Sequence, residues 1–397
     1  MNSSQFKSEK NPKRGDRGIT CIPYGRQSID DADIHAVVEV LRSDWLTTGP
    51  KVDNFEKEFT AVTGAKEAVA VSNGTAALHS IMFAIDIGPG DEVIVPPMTF
   101  AATANAVLFQ GGTPVFADVD PETLLINPQE ISRKITTRTK AVVAVDYAGQ
   151  PCDYDALKAI THQFKLFLIA DACHALGAMY KGKNVGTLAD LTAFSFHPVK
   201  HITTGEGGMV TTNNEKLAKK MRMFRHHGIT SNHSLRGKKG EWFYEMRHLG
   251  YNYRITDFQC ALGISQLRKL PDWLLRRKEI VEKYNQAFAD LPYLRPLSVR
   301  KDVSHAYHLY IVRVISEKNK MDRSALFRAL RNAGIGVNVH YIPVHLHPFY
   351  RRHLGTRPGL CPAAEASYKQ IISLPMYPGL TNKEQEHVIN TLKGFLG

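Results

Sequence analysis

Short, almost continuous apolar runs recur along the middle of the chain: AVAVS (68–72), EVIVP (92–96), PVFADV (114–119), AVVAVDY (141–147), LFLIADA (166–172), TAFSFH (192–197) and GMVTTN (208–213). Runs that are apolar at nearly every position suit strands buried on both faces, where alternation would suit a half-exposed sheet. Helical stretches separate several of them, notably 75–86, 99–109 and 154–163, so the pattern predicts a mostly parallel sheet covered by helices on both sides. Only a Gly-rich loop parts the last two runs. A parallel crossover needs more chain than that, and one antiparallel strand is expected there. Upstream, Ile34, Val37, Val38 and Leu41 recur at helical spacing behind a Ser28-to-Asp31 capping pattern, which predicts an amphipathic helix.

Helical character dominates 254–291. The remainder, with YHLYIVRV (307–314), RSALFRALRNAG (323–334) and VNVHY (337–341), reads as a small α+β domain. Its closing helix starts at a Thr381-to-Glu384 capping box and carries Val388, Thr391, Leu392 and Phe395 on one face. The organisation expected is a polar, mobile tail over residues 1–20, a large domain over 21–262 and a small C-terminal domain over 263–397.

Composition adds limits. The 397 residues carry 50 Lys and Arg against 38 Asp and Glu, a formal charge of +12, with 43% hydrophobic residues. This is a globular chain long enough to bury a large core, which excludes a disordered chain, a collagen or a disulfide miniprotein. Its five cysteines are scattered and show no paired CxxC spacing, and the start of the chain has no apolar leader. Free thiols and a cytoplasmic location are expected. Positive charge clusters only at Lys219, Lys220, Arg222, Arg225, Arg236, Lys238 and Lys239, without interleaved aromatics, so nucleic acid is not expected as a partner. A solvated helix face and loop explains the cluster better.

Several motifs fail on inspection. Gly177 to Lys183 fits GxxxxGK, but Asn184 stands where Ser or Thr would hold magnesium, and YKGKN reads as a hairpin turn. Gly205, Gly207 and Gly208 precede a strand and so form no dinucleotide fingerprint. His340, His345 and His347 lie close in sequence, yet Pro343 and Pro348 break the segment and no cysteine or carboxylate stands at ligand spacing; no metal is expected. Two features remain. Asn73-Gly74-Thr75 turns a strand into a helix and presents free N–H groups suited to a phosphate, although a plain capped turn would look the same. Asp171 and Lys200 end neighbouring apolar runs and so face the crevice where open α/β sheets bind ligands. A carboxylate, an amine and a phosphate turn are the three anchors needed by an aldehyde cofactor with a pyridine nitrogen and a phosphate.

These residues together resemble the DegT/DnrJ/EryC1/StrS family of pyridoxal-phosphate-dependent sugar aminotransferases. SFHPVKHITTGEGGMVTTN (195–213) is similar to its lysine signature, SNGTAAL (72–78) to its phosphate turn, LIADACHALGA (168–178) to its pyridine-partner strand and LGYNYRITDFQCALG (249–263) to its dimer-crossing loop. The likeness runs from about Ile22 to Leu396 and implies a fold-type-I aminotransferase, an α/β architecture with a mostly parallel central sheet in a large domain and a small α+β C-terminal domain.

The resemblance implies pyridoxal 5'-phosphate as cofactor, joined to Lys200, with Asp171 against the pyridine nitrogen. It also implies Gly74, Thr75 and Ser195 at the phosphate, Phe100 stacked on the ring, His174 near the phenolic oxygen and Asn252 reaching in from the partner of a homodimer. Phe100 departs from relatives with Trp or Tyr there. GRQSID, LTTGPKV, GIGVNVHYIPVHLHPFY (334–350) and SLPMYPGLT (373–381) are most similar to the pseudaminic-acid branch, which aminates C4 of a UDP-linked 4-keto-6-deoxy-N-acetyl-altrosamine with L-glutamate as donor. Candidate substrate contacts are Arg26, Arg254, His308, Tyr341 and His345. A bacillosamine-type or dTDP-linked sugar is the near alternative. A sugar dehydratase on this fold carries His at the lysine position, against Lys200, and a non-catalytic regulator that binds nucleic acid is the remaining alternative.

Overall fold

The computed structural model describes residues 21–230, 242–315 and 321–396. The expected tail, and Arg236, Lys238 and Lys239 of the basic cluster, lie outside them. Each apolar run becomes a strand: β1 (Glu67–Val71), β2 (Glu92–Val95), β3 (Thr113–Phe116), β4 (Thr139–Val145), β5 (Phe167–Asp171), β8 (Leu191–Ser195) and β9 (Gly208–Thr212). The hairpin expected at YKGKN supplies β6 (Met179–Tyr180) and β7 (Lys183–Asn184), joined by Lys181 and Gly182, both at positive φ as such a turn requires. The seven long strands form one sheet in the order β1-β9-β8-β5-β4-β2-β3, in which β9 alone runs antiparallel to its neighbours.

That one reversal positions the site. Gly208, the first residue of β9, pairs with Val71 at the end of β1 and with Ser195 at the end of β8. The carboxyl ends of β1, β8 and β5 therefore meet at one edge. A Cβ on Gly208 would lie 2.4 Å from the Asn73 carbonyl oxygen, so only glycine lets the 73–74 turn close over the strand.

Helices α1 (Asp31–Leu41), α2 (Pro50–Thr63), α3 (Gly74–Ala84), α4 (Ala101–Phe109), α5 (Pro128–Lys134), α6 (Tyr154–Phe164) and α7 (Glu215–Phe224) accompany the sheet. The cap of α1 is Asp30, boxed with Asp33, two residues later than the Ser28 expected; the Ser28 carbonyl instead accepts from Gln266. Helix α2 was not expected, though Pro50 at the first turn and a left-handed Gly64 bracket it; α7 is the solvated helix face expected at the start of the basic cluster. In the basic cluster Lys219 pairs with Glu215, Lys220 with Asp86, Arg222 with Glu56 and Glu67, and Arg225 with Glu56.

A single helix, α8 (Asp257–Phe288), runs through the boundary expected at 262/263. Its first half buries Cys260, Ile264, Leu267 and Leu270 in the core around the large sheet; its second half buries Ile280, Val281, Tyr284 and Phe288 in a second core. That second core also holds Ile22 and the inner faces of β10 (Leu294–Pro296), β12 (Tyr310–Val314) and β13 (Ile371–Leu374), an antiparallel sheet. The short β11 (Val303–Ser304) pairs with β6. Helices α9 (Arg323–Asn332), α10 (Pro348–Leu354), α11 (Pro362–Tyr368) and α12 (Asn382–Leu396) complete the chain, and α12 carries the expected Thr381–Glu384 box. VNVHY is not a strand: Asn338 makes a single bridge, to Ser373, and His340 Nδ1 is hydrogen-bonded to the hydroxyl of the same serine.

Candidate active site

Asp171 ends β5, 6% exposed, with its direction fixed by its own neighbours. Oδ1 accepts the Cys173 N–H at 3.2 Å, and Oδ2 accepts the Thr103 hydroxyl at 2.6 Å, which accepts in turn from Thr99 at 2.7 Å. Thr103 lies in the first turn of α4 and Thr99 two residues before it. Sequence reasoning missed them, because a Thr in a helix of small residues carries no mark of its partner.

Lys200 sits in a tight loop after β8. Lys200 N–H donates to the His197 carbonyl, and the Phe196 carbonyl closes the loop by accepting from Thr204 N–H and the Thr203 hydroxyl. Burial pushes the Lys200 ammonium below the ordinary lysine value, while the neighbouring Cys173 and Asp171 act in the opposite direction. The two ends expected to meet do lie within range of each other's charge.

Asn73 caps α3 by accepting the Ala76 N–H at 2.8 Å, leaving the Gly74 and Thr75 amides with no acceptor among the described residues. A Cβ on Gly74 would approach Ser195 Cβ at 2.9 Å and Cys173 Sγ at 3.4 Å, so the turn, Ser195 and the 171–174 segment form one narrow cradle. Helix α3 points its positive end and two free donors into it.

His174 is buried against this cradle. Its Nε2 is hydrogen-bonded to the Tyr341 hydroxyl at 3.0 Å, and its Nδ1 is buried without a partner. Burial first, and the Lys200 charge second, hold its pKa well below the usual histidine range, so the ring is neutral. Tyr341 also approaches Phe100, centroids 6.1 Å apart, and Tyr147, whose hydroxyl donates to the His340 carbonyl. Phe100 is 62% exposed, open on its outer side to a flat ligand.

The remaining expectations divide. Gly25 packs on Val199 beside Lys200, and Arg26 lines an open cavity of about 330 Å³ with Tyr377 and Glu384. Arg254 lies beside Arg225 and is bonded at 3.0 Å to His226. Asn252 is exposed on this chain. Two expected substrate contacts are corrected. His345 is fully buried, pairs with Glu365 at 2.9 Å and packs against Phe116, so it is a packing residue. His308 is buried behind His174, centroids 4.3 Å apart, between it and His201, and reaches the cleft only through His174. No group of three metal-ligating side chains occurs among the described residues, and no described helix is long and apolar enough to cross a membrane.

The chain belongs to the DegT/DnrJ/EryC1/StrS aminotransferase family, which it matches over residues 27–393. It is 44% identical over 374 residues, 94% of this chain and 96% of the relative, to the spore coat polysaccharide biosynthesis protein SpsC of Bacillus subtilis. Among solved structures it is similar to Spr1654 of Streptococcus pneumoniae, a candidate sugar aminotransferase in its PLP form, with 34% identity, a TM-score of 0.88, and 94% and 98% of the two chains covered. It is equally similar to PseC of Helicobacter pylori, an aminotransferase of pseudaminic acid biosynthesis, with 33% identity, a TM-score of 0.88, and 94% and 99% covered. The protein is a PLP-dependent sugar aminotransferase of the fold these relatives share.

Proposed function

We propose that the protein transfers an amino group from L-glutamate to C4 of a UDP-linked 4-keto-6-deoxy-N-acetylhexosamine of the altrosamine type, as a homodimer in the cytoplasm. The observation that carries the assignment is the meeting of Asp171, Lys200 and the unpaired Gly74 and Thr75 amides at one edge of the sheet. A pyridoxal phosphate fits this set: the two amides, helix α3 and the Ser195 hydroxyl suit its phosphate, the Asp171 carboxylate its ring nitrogen, Phe100 its face and the orphaned His174 Nδ1 a polar edge.

Pyridoxal phosphate supplies an electron sink for the carbon that loses its proton and carries the amino group between the two half reactions. This chain supplies the rest. Lys200 Nζ, with its pKa lowered by burial, takes the proton from the α-carbon of the amino donor and later delivers one to the sugar carbon that gains the amine. Asp171 is held in one orientation by Thr103 and Cys173, so its charge bears on a fixed point of the cleft. Tyr341 from the small domain meets His174 from the large one, and the pair closes the cleft with neutral hydrogen-bonding groups.

The sugar assignment is supported by the PseC likeness and by the position of the 334–350 segment, whose Tyr341 touches His174. Arg26 and Arg254 are offered for the diphosphate. The homodimer is supported by the exposed apolar run before Asn252, where Trp242 is 84% and Leu249 76% exposed. Five free cysteines support the compartment. The test offers UDP- and dTDP-linked 4-keto sugars and a 3-keto counterpart with glutamate and locates the new amine by NMR. Amination at C4 of the UDP-altrosamine precursor is expected. Reaction at C3 alone, or only on small keto acids, overturns the reading; reaction on a gluco-configured sugar alone moves it to a bacillosamine-type product.

A further inference from the structure

His79 takes no part in the chemistry above, yet it is buried with both ring nitrogens hydrogen-bonded and four aromatic rings around it. It lies on α3, one and a half turns past the phosphate turn, and is 2% exposed. Gln110 Nε2 donates to its Nε2 at 2.7 Å, which leaves Nδ1–H to donate to the Tyr253 hydroxyl at 3.0 Å. Phe109, Phe224, Tyr251 and Tyr253 surround the ring with centroids 5.0 to 5.8 Å away. Burial pushes its pKa down to about 4, so the neutral ring keeps one donor and one acceptor at neutral pH, and both are used.

The strand-like segment 251–253 is held on three sides. Tyr251 N–H donates to the Phe224 carbonyl, Tyr253 N–H to the Arg225 carbonyl, and the Tyr253 carbonyl accepts from Ser72 N–H, next to the phosphate turn. Tyr251 and Tyr253 stack with centroids 5.1 Å apart, and both rings face His79. In an extended segment alternate residues point to opposite sides. With the two tyrosines turned in towards His79, Asn252 between them is turned out, in agreement with its exposure.

We infer that His79 is a positioning residue: its bond to Tyr253 locks the 251–254 segment so that Asn252 is aimed at the cofactor phosphate. This rests on the proposed role of Asn252. One helix then serves two phosphates, its own chain's through the Gly74 and Thr75 amides and the neighbour's through His79, Tyr253 and Asn252.

The test uses Tyr253→Phe, which removes only the hydroxyl, His79→Leu, which fills the space without hydrogen bonds, His79→Gln, which keeps a donor and an acceptor, and the double variant His79→Leu with Tyr253→Phe. Hydrogen exchange of the apoprotein reads the segment, and titration of the apoprotein with pyridoxal phosphate, followed by absorbance, reads the affinity. Both single variants are expected to speed exchange across 249–254 but not across β4 and β5, and to weaken cofactor affinity about threefold to tenfold, as loss of one hydrogen bond implies. His79→Gln is expected to recover part of it. The double variant is expected to be no worse than the poorer single one, since both remove the same bond. Wild-type affinity in either single variant, loosening spread over the whole molecule, or additive losses would overturn the inference. These readouts involve no sugar, so failure of every keto sugar as substrate would strike the proposed reaction and leave this result standing.

Discussion

The Asp171 carboxylate acts on the charge of Lys200. Burial lowers the lysine, and the Asp171 carboxylate acts to raise it, so removing that charge lets the lysine fall further. In the apoprotein, acylation of Lys200 by an amine reagent follows the unprotonated fraction. Its pH midpoint is expected below the ordinary lysine value of 10.5 and lower still in Asp171→Asn; an unchanged or higher midpoint would separate the two residues. In the holoenzyme the same variant is expected to keep the fold and cripple the glutamate half reaction, while Lys200→Ala loses turnover by several orders of magnitude and still binds cofactor, as stopped-flow absorbance would report. The positions of both residues were legible because Asp171 ends one conspicuously apolar run and Lys200 follows the next by a few residues. His345 was a candidate only through the resemblance of the 334–350 segment, and a short 3-10 turn, Val344–Leu346, turns its ring inward to Glu365, twenty residues away, a pairing that no local pattern announces.

At the scale of elements, the phosphate turn follows from the first residues of α3. Ala in place of Gly74 would favour the helix by roughly 1 kcal/mol, but its Cβ would lie 2.9 Å from Ser195 Cβ and press the turn away from β8. The two effects offset each other in stability and not in binding. Gly74→Ala is therefore expected to melt within a few degrees of wild type while losing about tenfold in affinity for pyridoxal phosphate. A loss of stability with affinity intact would mean that the glycine serves packing alone. The strands were legible because burial on both faces leaves an unbroken apolar run. Helix α7 was legible only as a solvated, basic helix face, because only Ala218, Met221 and Phe224 are buried among charged neighbours; α2 was not read, although Val52, Phe55 and Phe59 share its buried face. The span of α8, by contrast, was legible in the helical character of 254–291. It contains Pro271, ordinarily a stop signal, yet continues to Phe288, because its two halves are anchored in different cores.

For the whole molecule, chain order gave the parallel sheet but not which strands would be neighbours. Only the reversal of β9 brings the ends of β1 and β8 together, and with them the phosphate turn and the lysine loop. What lies beyond one chain was legible only through resemblance, since an exposed side chain such as Asn252 leaves no periodic trace. The single chain nonetheless carries two pointers to a second copy. Trp242, Phe243, Met246 and Leu249 are exposed along the run that leads to Asn252, a cost in apolar surface that burial against a neighbour would remove. Asn252 itself is turned away from the aromatic cluster that anchors it. If it serves the neighbour's phosphate, each site draws Lys200 from one chain and Asn252 from the other. A heterodimer of a Lys200→Ala chain and an Asn252→Ala chain then has one doubly damaged site and one intact site. It is expected to recover about half the activity of a wild-type dimer. Were Asn252 to act within its own chain, both sites of the heterodimer would carry one lesion each. A verified heterodimer no more active than its parents would therefore place Asn252 in its own subunit, and the exposed apolar run would need another occupant.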